Sequence, residues 1–391
     1  MEFEYWWLLG FPLFFGLGWL AARVDLKHLL TESRALPRSY FRGLNFLLNE
    51  QPDKAIEAFI EVVRTDPETV ELHFALGSLF RRRGESDRAI RMHKHLLDRT
   101  DLGEEQRLNA LFELGQDYLK AGLLDRAEEA LAKLKDSPLR REALDFLLDI
   151  YQQEKDWSKA IDTARELERD SGESRQKVIA NFHCELAAQH ATHSRLEEAE
   201  AHLDRALAAN RKCARASLQQ GDIYAAAGDH ERAVAAWKRL EQQQPPYLAL
   251  AAKRLMDSFK ALGREEEGLT LLRGYLSQYP SLDLLDVAFQ STLEAQGAEA
   301  AYQLVKEELR RNPTLLGLDK LLEAQILAAP PDRRHDLQLV KNLVHGHTHR
   351  LARYGCEQCG FKARQFHWHC PACGGWETFP PKRTEEFELA P

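Results

Sequence analysis

The pattern of apolar and polar positions divides the chain into three stretches. From Tyr5 to Ala22 the segment YWWLLGFPLFFGLGWLAA runs for 18 residues without a charge. From about Tyr40 to Pro313 apolar residues return at helical spacing, in blocks with a period near 34 residues. A small residue marks the second helix of each block: Ala55, Ala89, Ala127, Ala160, Ala199, Ala233, Gly268 and Ala301, at intervals of 34, 38, 33, 39, 34, 35 and 33. After His349 the helical period stops.

Within the blocks the recurring positions define helix pairs. Twelve residues before the small residue stands a glycine in four units (Gly43, Gly77, Gly115, Gly221). Three residues further on, six of the eight units carry an aromatic: Phe46, Phe80, Tyr118, Tyr151, Tyr224 and Phe259. Pro67, Pro245, Pro280 and Pro313 close four units, where proline ends the second helix. A small residue allows close helix approach and the aromatic fills the groove beside it. The turns GESDRA, GLLDRA and GDHERA combine a C-cap glycine with polar helix starters. This resembles the tetratricopeptide repeat, a helix pair of 34 residues that stacks into a superhelical solenoid. A degenerate capping pair is expected from Thr314 to about Val344, broken at Pro330-Pro331. Trp237 falls at an inter-helix packing position, and Cys184 and Cys213 read as small buried hydrophobes.

The N-terminal apolar run spans roughly 27 Å at ~1.5 Å per residue, enough for a bilayer core. Tyr5, Trp6, Trp7 and Trp19 suit the two interfacial belts. Glu2 and Glu4 precede the run, where a cleaved signal peptide carries basic residues. Arg23, Lys27, Arg34, Arg38 and Arg42 follow it, and the basic flank stays cytoplasmic. The expected topology is one transmembrane helix with its N-terminus periplasmic and the remainder cytoplasmic.

Charge and cysteine usage narrow the chemistry. A formal net charge of -8 excludes a general nucleic-acid binder, and 44% hydrophobic with 29% charged residues marks a globular chain. No phosphate-binding glycine loop, nucleophile elbow or metalloprotease helix occurs, so no catalytic or cofactor-binding residue is assigned. Four of the six cysteines form two Cys-x-x-Cys-Gly turns in YGCEQCGFKARQFHWHCPACGGW. Cys356, Cys359, Cys370 and Cys373 are thus the expected ligands of one metal ion in a closed tetrahedral sulfur shell, structural or electron-transferring. Iron and zinc both accept that shell. Tyr354 with Cys-Pro-x-Cys-Gly resembles rubredoxin, whose ion is iron, while the short loop is closer to a zinc ribbon. His345, His347, His349, His367 and His369 are read as surface or outer residues. Residues 350–383 carry a net +4, and with Phe366 and Trp368 suggest contact with nucleic acid, an acidic protein surface or anionic lipid; the plain alternative is a knot packed on the last repeat.

The expected fold is all-α, with an anchor over 1–22, a juxtamembrane linker over 23–39, about eight repeats over 40–313, capping helices over 314–349, a metal module over 350–380 and a flexible tail over 381–391. Anchor, repeats and knuckle in that order resemble the lipopolysaccharide assembly protein B family of Gram-negative bacteria. The resemblance implies a non-enzymatic inner-membrane adaptor that promotes degradation of the lipid A pathway deacetylase by the membrane protease FtsH and answers to a PbgA-type lipopolysaccharide sensor. It leaves room for direct lipopolysaccharide binding and homo-oligomers. Two alternatives stand beside it: a membrane-tethered scaffold for lipopolysaccharide assembly or transport proteins, and an electron-transfer module on a repeat scaffold.

Overall fold

The structure, a computed structural model, describes residues 15, 19, 38–49, 51–65, 70–351 and 354–383. The expected anchor therefore lies outside the described residues apart from Phe15 and Trp19, as do most of the linker and residues 384–391. Among the described residues no helix is long and apolar enough to cross a membrane.

The chain forms two compact units, Met1–Phe146 and Leu147–Pro391. The first contains α1 (Arg38–Leu48), α2 (Pro52–Thr65), α3 (Val70–Arg83), α4 (Ser86–Leu97), α5 (Glu104–Lys120), α6 (Leu124–Ala132) and the first half of α7 (Arg140–Glu154). The second continues with α8 (Trp157–Ser171), α9 (Gln176–Thr192), α10 (Leu196–Ala209), α11 (Ala214–Ala226), α12 (His230–Lys238), α13 (Leu240–Gln243) and a 3-10 turn at Pro245–Tyr247. It ends with α14 (Leu248–Ala261), α15 (Glu265–Gln278), α16 (Leu282–Gln296), α17 (Ala298–Arg311), α18 (Leu315–Ala328), α19 (Pro331–Leu351) and the two-residue strands β1 (Tyr354–Gly355) and β2 (Lys362–Ala363).

The repeating positions do what their chemistry dictates. The seven small-residue alanines are fully buried. The closest helix approach, however, is made by the glycine of the first helix. A Cβ at Gly43, Gly77, Gly115 or Gly221 would lie 2.4, 2.3, 2.8 or 2.2 Å from Phe59, His93, Leu131 or Trp237, respectively. Trp237 is 1% exposed and its Nε1 donates to Leu218 O at 3.0 Å. Gly221→Ala is therefore expected to force the indole off that bond and to cost about 1–3 kcal/mol by overpacking, read as a lower denaturant midpoint with unchanged m-value.

The aromatics carry a second regularity. In five units a basic residue eight positions later, just before the small residue, covers the ring: Lys54 over Phe46, Arg88 over Phe80, Arg126 over Tyr118, Lys159 over Tyr151 and Arg232 over Tyr224, at 3.9–5.9 Å from the ring centroid. Each cation lies against the ring, a contact worth about 0.5–1 kcal/mol at an exposed site.

In the first unit one seam is polar. His93 takes the place of the apolar side chain opposite Gly77, and its Nδ1 lies 2.5 Å from Asp117 Oδ2, both side chains fully buried. Arg81 joins Asp117 at 2.7 Å and Glu113 at 2.6 Å, so the buried carboxylate has opposite charge beside it. Cys184 and Cys213 are buried in the second unit, with sulfurs 3.8 Å apart. The break at Pro330-Pro331 separates α18 from α19, and Thr314 caps α18 by accepting from Gly317 N at 3.0 Å.

Candidate metal centre

Each Cys-x-x-Cys turn closes with the same two backbone bonds. Gly360 N donates to Cys356 O and Gly374 N to Cys370 O, both at 2.9 Å; Cys356 N donates to Phe361 O and Cys370 N to Gly375 O, both at 2.8 Å. Gly360 and Gly374 have φ of 74° and 69°, a backbone that side chains rarely adopt and glycine adopts freely. The β1–β2 ribbon, with Tyr354 opposite Ala363, carries the first turn.

The four sulfurs converge within 4.8 Å of one another. Cys356 to Cys373 and Cys359 to Cys370 are each 3.7 Å. Metal–sulfur bonds of ~2.3 Å place the corners of a tetrahedron about 3.8 Å apart, so the donor set fits one tetrahedral ion. Thiol chemistry points the same way. Burial raises Cys356, yet the nearby Thr378 hydroxyl and the Cys359 and Gln358 N–H groups bring it down to about 6. Cys373 is lowered by Gly375 N–H, but burial and hydrogen bonds to the other three thiols push it up to about 12. Four thiols at this separation do not ionise together without a cation among them. Cys356 and Cys370 are buried and Cys359 and Cys373 exposed, which leaves one side of the sulfur cluster open to solvent. None of the C-terminal histidines joins the cluster among the described residues. His369 packs on Trp376 and His367 on Phe379, while His345 meets Asp319 at 2.9 Å; the side chains of His347 and His349 lie outside the description.

The module touches the last repeat through Asp283 of α16 and packs further back along the second unit as well, because its aromatics find partners on α7, α8, α9, α11 and the turn before α14. Trp376, 6% exposed, sits edge-on to Trp157 and Phe182 and donates to Gln152 Oε1 at 3.0 Å. Trp368 stacks on Tyr247 at 5.1 Å and Phe366 meets the same ring edge-on. Arg215 extends between the two indoles, 5.7 and 5.8 Å from their centroids, and pairs with Glu185 at 2.8 Å. Glu377, side chain 1% exposed and φ 52°, receives Asn181 Nδ2 at 3.1 Å and Gln244 Nε2 at 3.4 Å, with Lys177 at 3.7 Å. Tyr354 donates to Asp283 at 2.9 Å, and Arg383 pairs with the same carboxylate. Phe366 and Trp368 are thus turned into the protein and are not offered to nucleic acid. The sequence signal for this docking was the density of aromatics in so short a tail, together with an arginine at 215 on a buried helix face.

Stacked helix pairs bearing a docked four-cysteine ribbon define a tetratricopeptide-repeat protein with a rubredoxin-type metal-binding module. The tetratricopeptide repeat model matches residues 42–91 and 185–247, and the rubredoxin metal binding domain model matches residues 354–381. Lipopolysaccharide assembly protein B of Escherichia coli K12 is 36% identical over 95% of this chain and 96% of its own length; that of Haemophilus influenzae is 30% identical over 96% and 97%. A solved tetratricopeptide repeat protein from Parabacteroides merdae is similar at 16% identity, TM-score 0.28, covering 78% of this chain and 100% of that chain. The chain belongs to the lipopolysaccharide assembly protein B family.

Proposed function

We propose that this chain is a non-enzymatic, membrane-anchored adaptor in lipopolysaccharide synthesis, which brings the deacetylase of the lipid A pathway to the protease FtsH and responds to a PbgA-type sensor. The observation that carries the reading is the kinship with lipopolysaccharide assembly protein B over 95–96% of the chain, beside the rubredoxin-type match at residues 354–381. Tetratricopeptide arrays present extended surfaces to protein partners, which suits an adaptor. Residues 1–22 supply the anchor, N-terminus periplasmic, and confinement to one membrane raises the effective concentration of client and protease so that weak contacts suffice. Cys356, Cys359, Cys370 and Cys373 hold one iron or zinc ion; the ion cross-links a tail of about thirty residues whose own core is too small to fold it without the metal.

Depletion of the protein is expected to lengthen the half-life of the deacetylase several-fold in a pulse-chase; an unchanged half-life defeats the adaptor reading. Cysteine labelling near residue 30 from each side of the membrane tests the orientation. A reversible one-electron couple at the purified metal centre would favour electron transfer, and stoichiometric zinc would eliminate it.

A further inference from the structure

Three of the eight units depart from the cation-over-ring pattern, and one of them, centred on Ala199, does so with metal-ligand side chains at each position. In the unit centred on Ala199 the ring position is His190, and the residue eight positions later, basic in five other units, is Glu198. Three residues after the small residue, where other units carry Ala58, Met92, Ala130, Ala236 or Leu271, stands His202. An apolar ring under a cation has been replaced by imidazoles and a carboxylate, which are metal-ligand types.

The helices bring these groups together. His183 and His190 are seven residues apart on α9, Glu198 and His202 four apart on α10, and each pair shares a helix face. His183 Nδ1 and His202 Nδ1 are 3.2 Å apart. Metal–nitrogen bonds of ~2.0–2.1 Å place tetrahedral corners about 3.3 Å apart. His190 stacks on His202 at 5.2 Å and 17°, and its Nδ1 lies 2.6 Å from Glu198 Oε2 without making a hydrogen bond. His183 is 5% exposed, and the His190 Nδ1 is buried.

We infer that His183 and His202, completed by His190 and Glu198 after a side-chain rotation, form a second metal site, for a divalent late transition ion such as zinc or nickel. Arg195 holds Glu198 at 3.3 Å, and Arg165 and Arg205 lie within electrostatic reach of His183. That positive surround disfavours magnesium and calcium, which bind through oxygen charge, and leaves ions that gain most from imidazole nitrogen. The site is separate in sequence and ligand type from the cysteine centre and does not depend on the lipopolysaccharide reading.

The test is a zinc titration of the full chain, purified in detergent with its cysteine centre already loaded. Bound metal is counted by mass spectrometry after equilibrium dialysis. The expected result is a rise from one to two ions per chain, with a higher Tm on the second addition. The double variant His183→Gln/His202→Gln should stop at one, and Glu198→Gln should weaken the second ion at least tenfold. Cobalt in place of the second zinc should show ligand-field bands without sulfur-to-metal charge transfer. Retention of the second ion by the folded double variant, or sulfur charge transfer from that ion, overturns the assignment. So does a wild-type chain that stays at one ion in excess zinc, a result that needs no variant to fold.

Discussion

Replacing Cys370 and Cys373 by serine is expected to reduce metal at the cysteine centre to a trace and to release residues 354–383 from the repeats. Structural zinc sites contribute about 10–16 kcal/mol of apparent binding energy in zinc-finger peptides, and that energy is folding energy when no apo core exists. Here the module's own core is small: Tyr354, Cys356, Cys370 and Phe379, with Ala363 and Phe366 beside them. Two of those four buried residues are ligands, so loss of the ion removes the centre of the core and not merely a cross-link. The repeats should remain helical, because each pair is buried against its neighbours. Helical ellipticity should therefore be nearly unchanged while the tail becomes sensitive to limited proteolysis. Unaltered metal content in the double serine variant refutes the ligand set.

Trp376→Ala separates docking from metal binding. The indole is not one of the ligands, and it contacts Trp157, Phe182 and Arg215 and donates to Gln152. Truncating a buried tryptophan costs about 3–5 kcal/mol. The loss falls on the interface between module and repeats, since Trp376 is the residue that reaches furthest across it, from α7 to α11. The expected variant keeps its metal, exposes Tyr247 and Phe182, and cleaves in the tail at protease levels that leave the native chain intact. If metal is lost in parallel with docking, the ribbon cannot fold by itself and the repeats are part of the metal site. If neither changes, the contacts through Tyr247, Glu377 and Asp283 hold the module without it.

The helix pairs were legible in the sequence because they are local: a small residue, a glycine and an aromatic repeat at spacings that one helix pair imposes on itself. The same is true of the ligand set, since a Cys-x-x-Cys-Gly turn contains its own geometric requirements. The cation over five of the six aromatics sits at a fixed spacing of eight residues, but that spacing gains a meaning only once the structure shows the charge over the ring. Among the three units that depart from that regularity, only that of Ala199 carries an imidazole at the ring position and a carboxylate at the cation position.

Where the metal module sits could not be read from spacing. Trp376 lies 224 residues from Gln152, Glu377 lies 196 from Asn181, and Arg383 lies 100 from Asp283. No periodicity links positions so far apart, and each surface alone looks like an ordinary exposed helix face or an aromatic tail. The sequence by itself determined the repeating helices and the four thiols, because near-neighbour packing and turn geometry act over a few residues. Only the tertiary structure decided that the ribbon lies along the second unit from Gln152 to Asp283, and that three histidines and a glutamate from two helices meet. Those outcomes depend on burying aromatic surface and pairing buried charge between segments that the chain brings together only on folding.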